Sequence, residues 1–321
     1  MKILANDGIP NNAVSKLESA GFEVKNINVA QEQLENYINK EKIDILLVRS
    51  ATKVRKELID SCPKLKLIGR GGVGMDNIDV DYARMKGIMV INTPSASSQS
   101  VAELVFAHLF SGVRYLYDSN RNMPLEGDTK FKFLKKSYSK GTELRGKTLG
   151  IIGFGRIGKA TAKIGLGIGM NVITHDPFTD KATLKLSFFN GQSVSFNIQT
   201  MSKENVLRNS DFISLHVPAQ KDFVIGEPEI KIMKNGAGLI NAARGGVVDE
   251  VAVTKALKNG KLGFAGIDTF ENEPNPDIHL LMTPNVSITP HIGAATIDAQ
   301  QRIGLELASQ IISMLKNDKN P

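Results

Sequence analysis

Residues 148–158, TLGIIGFGRIG, are the stretch that decides the fold. The aliphatic residues 149–152 predict a buried strand, and residues 156–168 carry apolar side chains at helical spacing. Between strand and helix, Gly153 allows a sharp turn, Gly155 lets a pyrophosphate approach the backbone, and Gly158 packs the helix close to the sheet. The free N–H groups of the first helical turn then face the anion. The stretch therefore predicts a dinucleotide-binding unit.

A second aliphatic run, residues 171–174, ends just before Asp176, eighteen residues beyond Gly158. A carboxylate at this distance accepts hydrogen bonds from the adenosine ribose hydroxyls and repels a 2′-phosphate, so NAD is predicted as the cofactor rather than NADP. The alternative is a glycine-rich turn that binds no nucleotide, and the surrounding strand, helix and carboxylate weigh against it.

Composition limits the class of protein. The chain has 321 residues, enough for two domains, and its 41% hydrophobic and 23% charged residues exclude disordered and fibrous proteins. The single cysteine, Cys62, cannot form an internal disulfide, which indicates a reducing compartment. The first residues lack a signal peptide, and no apolar run reaches the length of a membrane span. We therefore expect a cytoplasmic protein with no membrane partner.

The net charge of +7 raises the question of nucleic acid. The lysines are scattered, with local density only at residues 130–140, and no nucleic-acid-binding motif accompanies them. A positive balance attracts anionic small molecules equally well. We expect a small-molecule substrate, no nucleic-acid partner and no metal site.

In the first part of the chain, strands alternate with helices, which predicts a parallel sheet. Arg49 follows the aliphatic residues 43–48, and Arg70 begins the glycine-rich residues 70–74 after another strand. Ligands bind at the carboxyl ends of such strands, so both arginines are candidates for binding an anionic substrate. For Arg49, a surface ion pair is an equal alternative.

The middle of the chain contains two further segments with a predicted structure. Residues 100–117 predict a helix too apolar to be exposed, in which His108 is a structural residue, and the basic residues 118–145 lead to the second domain. Asn190-Gly191 lies between two β-compatible runs and predicts a hairpin over residues 184–198. The hairpin either covers the adenosine end of the cofactor, contacts another subunit or, as we prefer, extends the sheet edge.

Three ionisable residues, Arg244, Glu273 and His291, follow successive strands in the nucleotide-binding half. Hydride transfer to a 2-keto acid needs a fixed cation beside the carboxylate and carbonyl oxygen, which the planar arginine fork provides. It also needs a proton donor that titrates near neutrality, as histidine does, and a glutamate beside that histidine would hold its ring and favour the imidazolium. The pattern predicts a 2-hydroxy acid dehydrogenase site.

The motifs GFGRIG, NAARGGVVDE, GIDTFENEP and TPHIGAAT, in that order, resemble those of the D-isomer-specific 2-hydroxyacid dehydrogenases. The segments LLVRSATKV, IGRGGVGMDNID, INTP and GTELRGKTLGIIG are most similar to the phosphoglycerate dehydrogenases of that family. The resemblance covers nearly the whole chain. It implies NAD-dependent oxidation of 3-phospho-D-glycerate to 3-phosphohydroxypyruvate, the first step of L-serine biosynthesis, with reduction of glyoxylate, hydroxypyruvate or another 2-keto acid as the alternative.

The resemblance also implies roles for individual residues. Arg244 binds the substrate carboxylate and carbonyl, His291 is the acid/base and Glu273 tunes it. The expected cofactor contacts are Asp268 at the nicotinamide amide, Arg156 and Ile157 at the pyrophosphate, and further His216, Val217, Pro218 and Ala242. The expected substrate contacts are Gly72, Val73, Gly74 and Asn77, with Arg49, Arg70 and Lys136 for the substrate phosphate.

The expected architecture is two doubly wound parallel-sheet domains, the second inserted in the first. Residues 1–98 with 291–321 are predicted to form the substrate-binding domain, and residues 99–290 the Rossmann-type NAD-binding domain, in a homodimer whose domains close over the cofactor. Two departures from the family are the 184–198 hairpin and the lack, within 321 residues, of the module that binds serine in longer members. Feedback by serine through such a module is therefore not expected. An NAD-sensing scaffold or co-repressor is the alternative from another functional class.

Overall fold

The computed structural model describes residues 1–316, which divide into two compact units. The first unit contains Met1–Ser98 and the chain from Ala294 onward, and the second contains Gln99–Gly293. Each unit is built on a parallel sheet with helices, so the predicted α/β class with two parallel sheets is confirmed.

The first unit has a five-stranded sheet of order β2-β1-β3-β4-β5 in which every neighbouring pair is parallel. Its elements are β1 (Lys2–Ala5), α1 (Asn11–Ser19), β2 (Glu23–Lys25), α2 (Leu34–Glu41), β3 (Ile45–Val48), α3 (Lys56–Ser61), β4 (Leu67–Arg70), α4 (Val80–Met85), β5 (Met89–Asn92) and the last helix, numbered α12 (Ile297–Lys316). The last helix packs on α1 so closely that a Cβ at Gly304 would lie 2.9 Å from the Cβ of Ala13. Its buried Ile303 and Leu307 complete one core of this unit.

The second unit has a six-stranded parallel sheet of order β13-β12-β11-β10-β6-β7. Its elements are α5 (Ser98–Val113), α6 (Leu116–Ser137), β6 (Thr148–Ile152), α7 (Arg156–Gly167), β7 (Asn171–His175), β8 (Lys181–Ser187), β9 (Ser193–Gln199), α8 (Lys203–Asn209), β10 (Phe212–Leu215), α9 (Glu227–Ile232), β11 (Ala237–Asn241), α10 (Glu250–Lys258), β12 (Leu262–Ile267), α11 (Ile278–Leu281) and β13 (Val286–Ile288). Because all six strands run in one direction, the residues that follow β6, β11, β12 and β13 meet at one edge of the sheet.

Helix α5 is largely buried as predicted, and its Val105 and Leu109 are fully enclosed, although Phe110 is 46% exposed. The predicted end at residue 117 is wrong, because α5 ends at Val113 and residues 116–117 belong to α6. The helix stops where Tyr115 adopts a left-handed conformation, with φ of 52°. Residues 118–145, for which no secondary structure was predicted, contain most of α6. Pro124 and the polar composition concealed this helix, whose end is fixed by the hydroxyl of Tyr138 donating to Asp118 Oδ2 at 2.7 Å.

The predicted hairpin is present as β8 and β9, paired from Lys181↔Gln199 to Ser187↔Ser193. It forms its own two-stranded sheet and meets β7 through the single bridge Thr174↔Thr200. Leu184 anchors it in the same core as Ile164 and Leu149. None of the helices in residues 1–316 combines the length and the apolar composition that a membrane span needs.

Candidate active site

The turn after β6 has the geometry that its glycines predict. Gly153 has φ of 94°, and a Cβ there would lie 2.4 Å from the carbonyl oxygen of His216. A Cβ at Gly158 would lie 2.1 Å from the carbonyl oxygen of Gly153, so helix α7 starts in direct contact with the turn. At Gly155 a Cβ would meet nothing within 4 Å. The turn therefore leaves open space over Gly155, beside the N–H groups at the start of α7, where a pyrophosphate fits.

Asp176 closes this turn from the end of the neighbouring strand. Its Oδ2 accepts the N–H of Phe154 at 2.6 Å, and its Oδ1 accepts the N–H of Phe178 at 2.8 Å. Each carboxylate oxygen keeps a further lone pair, and the residue is half-buried. The carboxylate thus fits the ribose hydroxyls of NAD beside the pyrophosphate position.

His216 and Val217 lie on the opposite side of the same turn. Val217 Cγ1 is 3.1 Å from the position of a Cβ at Gly153, and the Nε2 of His216 lies 3.0 Å from the hydroxyl of Ser214. The Nδ1 of His216 is buried without a partner in the described part of the chain. Burial lowers the pKa of His216 to about 3, so the ring is neutral at physiological pH. The structure brings both residues to the glycine turn. Their cofactor contacts, and those of Pro218, Ala242, Arg156 and Ile157, stay predictions.

Glu273 and His291 form a pair at the ends of β12 and β13. His291 Nδ1 lies 2.8 Å from Glu273 Oε2, and the two side chains are 44% and 38% exposed. The other carboxylate oxygen of Glu273 accepts the N–H of Phe270 at 3.0 Å, which orients the carboxylate toward the ring. The bond to Nδ1 leaves Nε2 of His291 as the nitrogen that can exchange a proton with a ligand.

The turn that carries His291 is held by Asp268. His291 adopts φ of 53°, a left-handed conformation that non-glycine residues rarely take. Its N–H donates to the carbonyl oxygen of Asp268 at 2.9 Å. The N–H groups of Ile292 and Gly293 donate to the two Asp268 carboxylate oxygens at 2.8 and 2.9 Å. Asp268 was predicted only as a nicotinamide contact, which stays a prediction, and its role in fixing this turn was missed.

The loop of Arg244 is held by Asn241, the last residue of β11. Its Nδ2 donates to the carbonyl oxygen of Arg244 at 3.0 Å, and its Oδ1 accepts the N–H of Ala243 at 3.1 Å. The guanidinium Nη1 of Arg244 donates to the carbonyl oxygen of Ala243 at 2.7 Å. The loop therefore fixes both the backbone and the side-chain fork of Arg244.

The Arg244 loop is joined to the segment that carries Glu273. A Cβ at Gly245 would lie 1.8 Å from the carbonyl oxygen of Phe270, so the two backbones touch. The N–H of Glu250 donates to Glu271 Oε1 at 2.8 Å, and the N–H of Glu271 donates to Glu250 Oε1 at 2.7 Å. Burial raises the pKa of Glu250, although the hydrogen bond from the N–H of Glu271 opposes this rise. The sequence analysis assigned no role to Glu250, although this residue closes the quoted motif NAARGGVVDE.

The predicted substrate residues of the first unit lie together around its glycine loop. A Cβ at Gly72 would lie 1.7 Å from Nη1 of Arg70, and one at Gly71 would lie 3.4 Å from Cγ of Arg49. Asn77 donates through Nδ2 to the carbonyl oxygens of Arg49 and Thr52, at 2.8 and 2.6 Å, so it supports the Arg49 loop. Substrate contacts by these residues, and by Val73 and Gly74, stay predictions.

Lys136 belongs to the second unit, where it is exposed in the last turn of α6. No contact in the described part of the chain brings it to Arg244 or His291, and its role at a substrate phosphate stays a prediction. A search of the described residues finds no group of histidine, cysteine or acidic side chains arranged to hold a metal ion.

Comparison with known proteins identifies the family. Residues 106–293 match the family described as D-isomer specific 2-hydroxyacid dehydrogenase, NAD binding domain. The chain belongs to this family. It therefore carries the NAD-binding domain of the D-2-hydroxyacid dehydrogenases, and the open glycine turn with Asp176 fits that cofactor.

Members of the family differ in name and length. The chain is 40% identical over 321 residues to D-3-phosphoglycerate dehydrogenase of Methanocaldococcus jannaschii, covering 99% of this chain but 58% of that protein. It is also 40% identical to hydroxypyruvate reductase of Thermotoga maritima, covering 98% of both chains. The NAD+-bound structure of 3-phosphoglycerate dehydrogenase from Entamoeba histolytica matches with a TM-score of 0.76 at 29% identity, covering 99% of this chain and 96% of that one.

Proposed function

We propose that the protein transfers a hydride between NAD and C2 of a D-2-hydroxy acid. The observation that carries the proposal is the 2.8 Å contact between His291 and Glu273, next to the fixed loop of Arg244. In the oxidative direction, Nε2 of His291 takes the proton of the C2 hydroxyl, and Glu273 stabilises the resulting imidazolium. The guanidinium of Arg244 binds the carboxylate and the C2 oxygen. When bound, NAD supplies the nicotinamide that accepts the hydride from C2.

We infer that the substrate is 3-phospho-D-glycerate, oxidised to 3-phosphohydroxypyruvate in the first step of L-serine biosynthesis. Relatives named D-3-phosphoglycerate dehydrogenase support this, among them the Methanocaldococcus protein. Arg49 and Arg70 also support it, because both arginines contact one glycine loop and a guanidinium group suits a phosphate. Reduction of hydroxypyruvate is the second candidate, favoured by the Thermotoga reductase that this chain matches over 98% of both lengths.

The first test compares NADH oxidation with 3-phosphohydroxypyruvate, hydroxypyruvate, glyoxylate and pyruvate. We expect the phosphorylated acid to be favoured about a hundredfold in kcat/KM, or about 2.7 kcal/mol. His291→Ala should abolish turnover, while His279→Ala, which replaces an exposed histidine, should retain it. If an unphosphorylated acid is favoured, the substrate is wrong and hydride transfer stands. NADH binding without turnover of any of the four acids would instead support the NAD-sensing scaffold or co-repressor.

The second test addresses the phosphate. Replacing Arg49 and Arg70 together with glutamine should raise KM for 3-phosphohydroxypyruvate far more than for hydroxypyruvate. Arg84→Gln, an exposed arginine on α4, is the matched control. Equal effects on the two substrates would contradict the phosphate assignment.

We further propose a homodimer that uses helix α6. This helix exposes Leu125, Phe131 and Phe133, at 77%, 56% and 66%, which is costly for a surface that stays in water. Light scattering after gel filtration should give twice the mass of one chain. Phe131→Ser with Phe133→Ser should shift the protein toward the monomer, and an unchanged mass would contradict this interface. A cytoplasmic location stays a prediction that rests on the lone, buried Cys62.

A further inference from the structure

A buried chain of polar groups connects helix α5 with the turn that carries His291. His108, in the middle of α5, is 2% exposed. Its Nδ1 lies 2.9 Å from the hydroxyl of Ser287, and its Nε2 lies 3.1 Å from the hydroxyl of Thr289. The Thr289 hydroxyl in turn lies 2.6 Å from Oδ1 of Asp268. The chain ends at the carboxylate that binds the N–H groups of the His291 turn.

The fold makes room for this arrangement at one glycine. A Cβ at Gly266, on β12, would lie 2.6 Å from the Cβ of His108, so α5 rests directly on the sheet at this point. Ser287 lies on the edge strand β13 and Thr289 follows the end of that strand, and the hydroxyl groups of both residues contact the ring of His108. An apolar side chain at position 108 would fill this space without placing a polar ring inside the core. Packing alone therefore gives no reason for a histidine here.

The direction of each hydrogen bond follows from the acceptor at the end. The Asp268 carboxylate already accepts the N–H groups of Ile292 and Gly293, and as an acceptor it takes its third bond from the Thr289 hydroxyl. The oxygen of Thr289 must then accept a hydrogen bond from the Nε2–H of His108. This leaves Nδ1 of His108 to accept a hydrogen bond from the Ser287 hydroxyl. Burial lowers the pKa of His108, and the neighbouring Asp268 only partly opposes this, so the ring carries a single proton. One tautomer, with the proton on Nε2, satisfies all four groups.

We propose that His108 is a positioning residue for the acid/base His291, acting through Thr289 and Asp268. The Nε2–H of His108 aims the Thr289 hydroxyl at Asp268. That bond fixes the carboxylate which holds Ile292 and Gly293, and so keeps His291 in its left-handed conformation opposite Glu273. His108 itself does not contact the reacting atoms. The inference rests on the proposed hydride transfer by His291.

The kinetic test uses three variants of His108 and its partner. His108→Leu removes both polar nitrogens, Thr289→Val removes the hydroxyl, and His108→Gln keeps an amide N–H for Thr289 and a carbonyl for Ser287. We expect His108→Leu to lower kcat about ten- to hundredfold, as a displaced catalytic group does, while KM changes less than about threefold. His108→Gln should restore most of kcat. Val105 is buried in the same helix but takes no part in these hydrogen bonds, so Val105→Ala is the control for lost stability.

The double variant His108→Leu with Thr289→Val should be no slower than Thr289→Val alone, because both changes break the same connection. Multiplicative effects in the double variant, or a kcat for His108→Gln as low as for His108→Leu, would overturn the proposal. So would a kcat for His108→Leu no lower than that of Val105→Ala at a temperature where both are folded.

A second measurement is independent of turnover. A histidine-selective proton–nitrogen NMR spectrum of the wild-type protein should contain one neutral ring with its proton on Nε2 that disappears in His108→Gln. A proton on Nδ1 instead would overturn the proposal, since Thr289 could then not donate to Asp268. If this signal is present while none of the four keto acids turns over, the hydride-transfer function fails and the hydrogen-bonded chain stands.

Discussion

His216→Gln is expected to make the protein less sensitive to acid. The ring of His216 is enclosed behind the glycine turn, and burial lowers its pKa to about 3, from an ordinary value of 6.5. Nδ1 of the ring is fully covered and has no partner among the described residues. Because the folded pKa lies below the unfolded one, the unfolded chain takes up the proton first. The wild-type protein therefore loses free energy of unfolding as the pH falls from 6.5 toward 3.

The loss amounts to about 1.4 kcal/mol per pH unit well below 6.5, which gives about 2 kcal/mol between pH 7.5 and pH 5.0. Urea unfolding at these two pH values, at one protein concentration, measures it. Glutamine keeps a polar atom for Ser214 and does not titrate, so the variant should lose about 2 kcal/mol less than the wild type over this interval. His279→Gln, at an exposed position, should lose as much as the wild type. An equal loss in wild type and His216→Gln would refute the assignment of a neutral, buried ring.

Three further predictions concern the glycine turn, the acid/base pair and the lone thiol. Gly158→Ala places a Cβ 2.1 Å from a backbone oxygen and should lower the melting temperature. Gly155→Ala places its Cβ in open space, so the melting temperature should stay unchanged. Because that space is where the pyrophosphate fits, Gly155→Ala should weaken NADH binding, measured by calorimetry, at least about tenfold. Glu273→Gln keeps a bond to His291 but removes the charge, so kcat should fall about tenfold or more while NADH affinity stays unchanged; an unchanged kcat would contradict the assigned pair. Burial raises the pKa of the Cys62 thiol to about 11, so a disulfide reagent should label it only after unfolding in urea, and rapid labelling of the folded protein would contradict that burial.

The parts of the fold that could be predicted are those whose structure is determined by residues within one short stretch of sequence. The turn at residues 153–158 combines strand, glycines and helix within one stretch, and the hairpin is marked by Asn190-Gly191 between two β-compatible runs. Helix α6 was missed because Pro124 and a polar composition argue against a helix locally. Its end is secured by Tyr138, which lies beyond the helix and returns to Asp118. A hydrogen bond between residues twenty positions apart leaves no pattern in the local sequence.

The same division holds for the site. The proximity of Glu273 and His291 could be predicted because each follows a strand of one parallel sheet, and the structure brings them to 2.8 Å. The catalytic roles of these two residues and of Arg244 stay predictions. Asp268 was assigned to the cofactor alone. Asp268, which holds the His291 turn, accepts a hydrogen bond from Thr289. Thr289 in turn contacts His108, which lies 181 residues earlier in the sequence. No periodicity in the sequence connects partners so far apart.

The proposed function places the chemistry and the choice of substrate in different parts of this chain. The second unit contains the glycine turn, the Arg244 loop and the Glu273–His291 pair, whose neighbouring loops are held together by backbone N–H groups that donate to acidic side chains. The first unit contains Arg49 and Arg70 beside its own glycine loop, where a phosphate is expected. Changes there can alter the substrate without disturbing any hydrogen bond of the acid/base turn. This proposed separation is consistent with the 40% identity of the chain both to a phosphoglycerate dehydrogenase and to a hydroxypyruvate reductase. It also makes the two arginines, rather than the catalytic residues, the place where substitution should convert one specificity into the other.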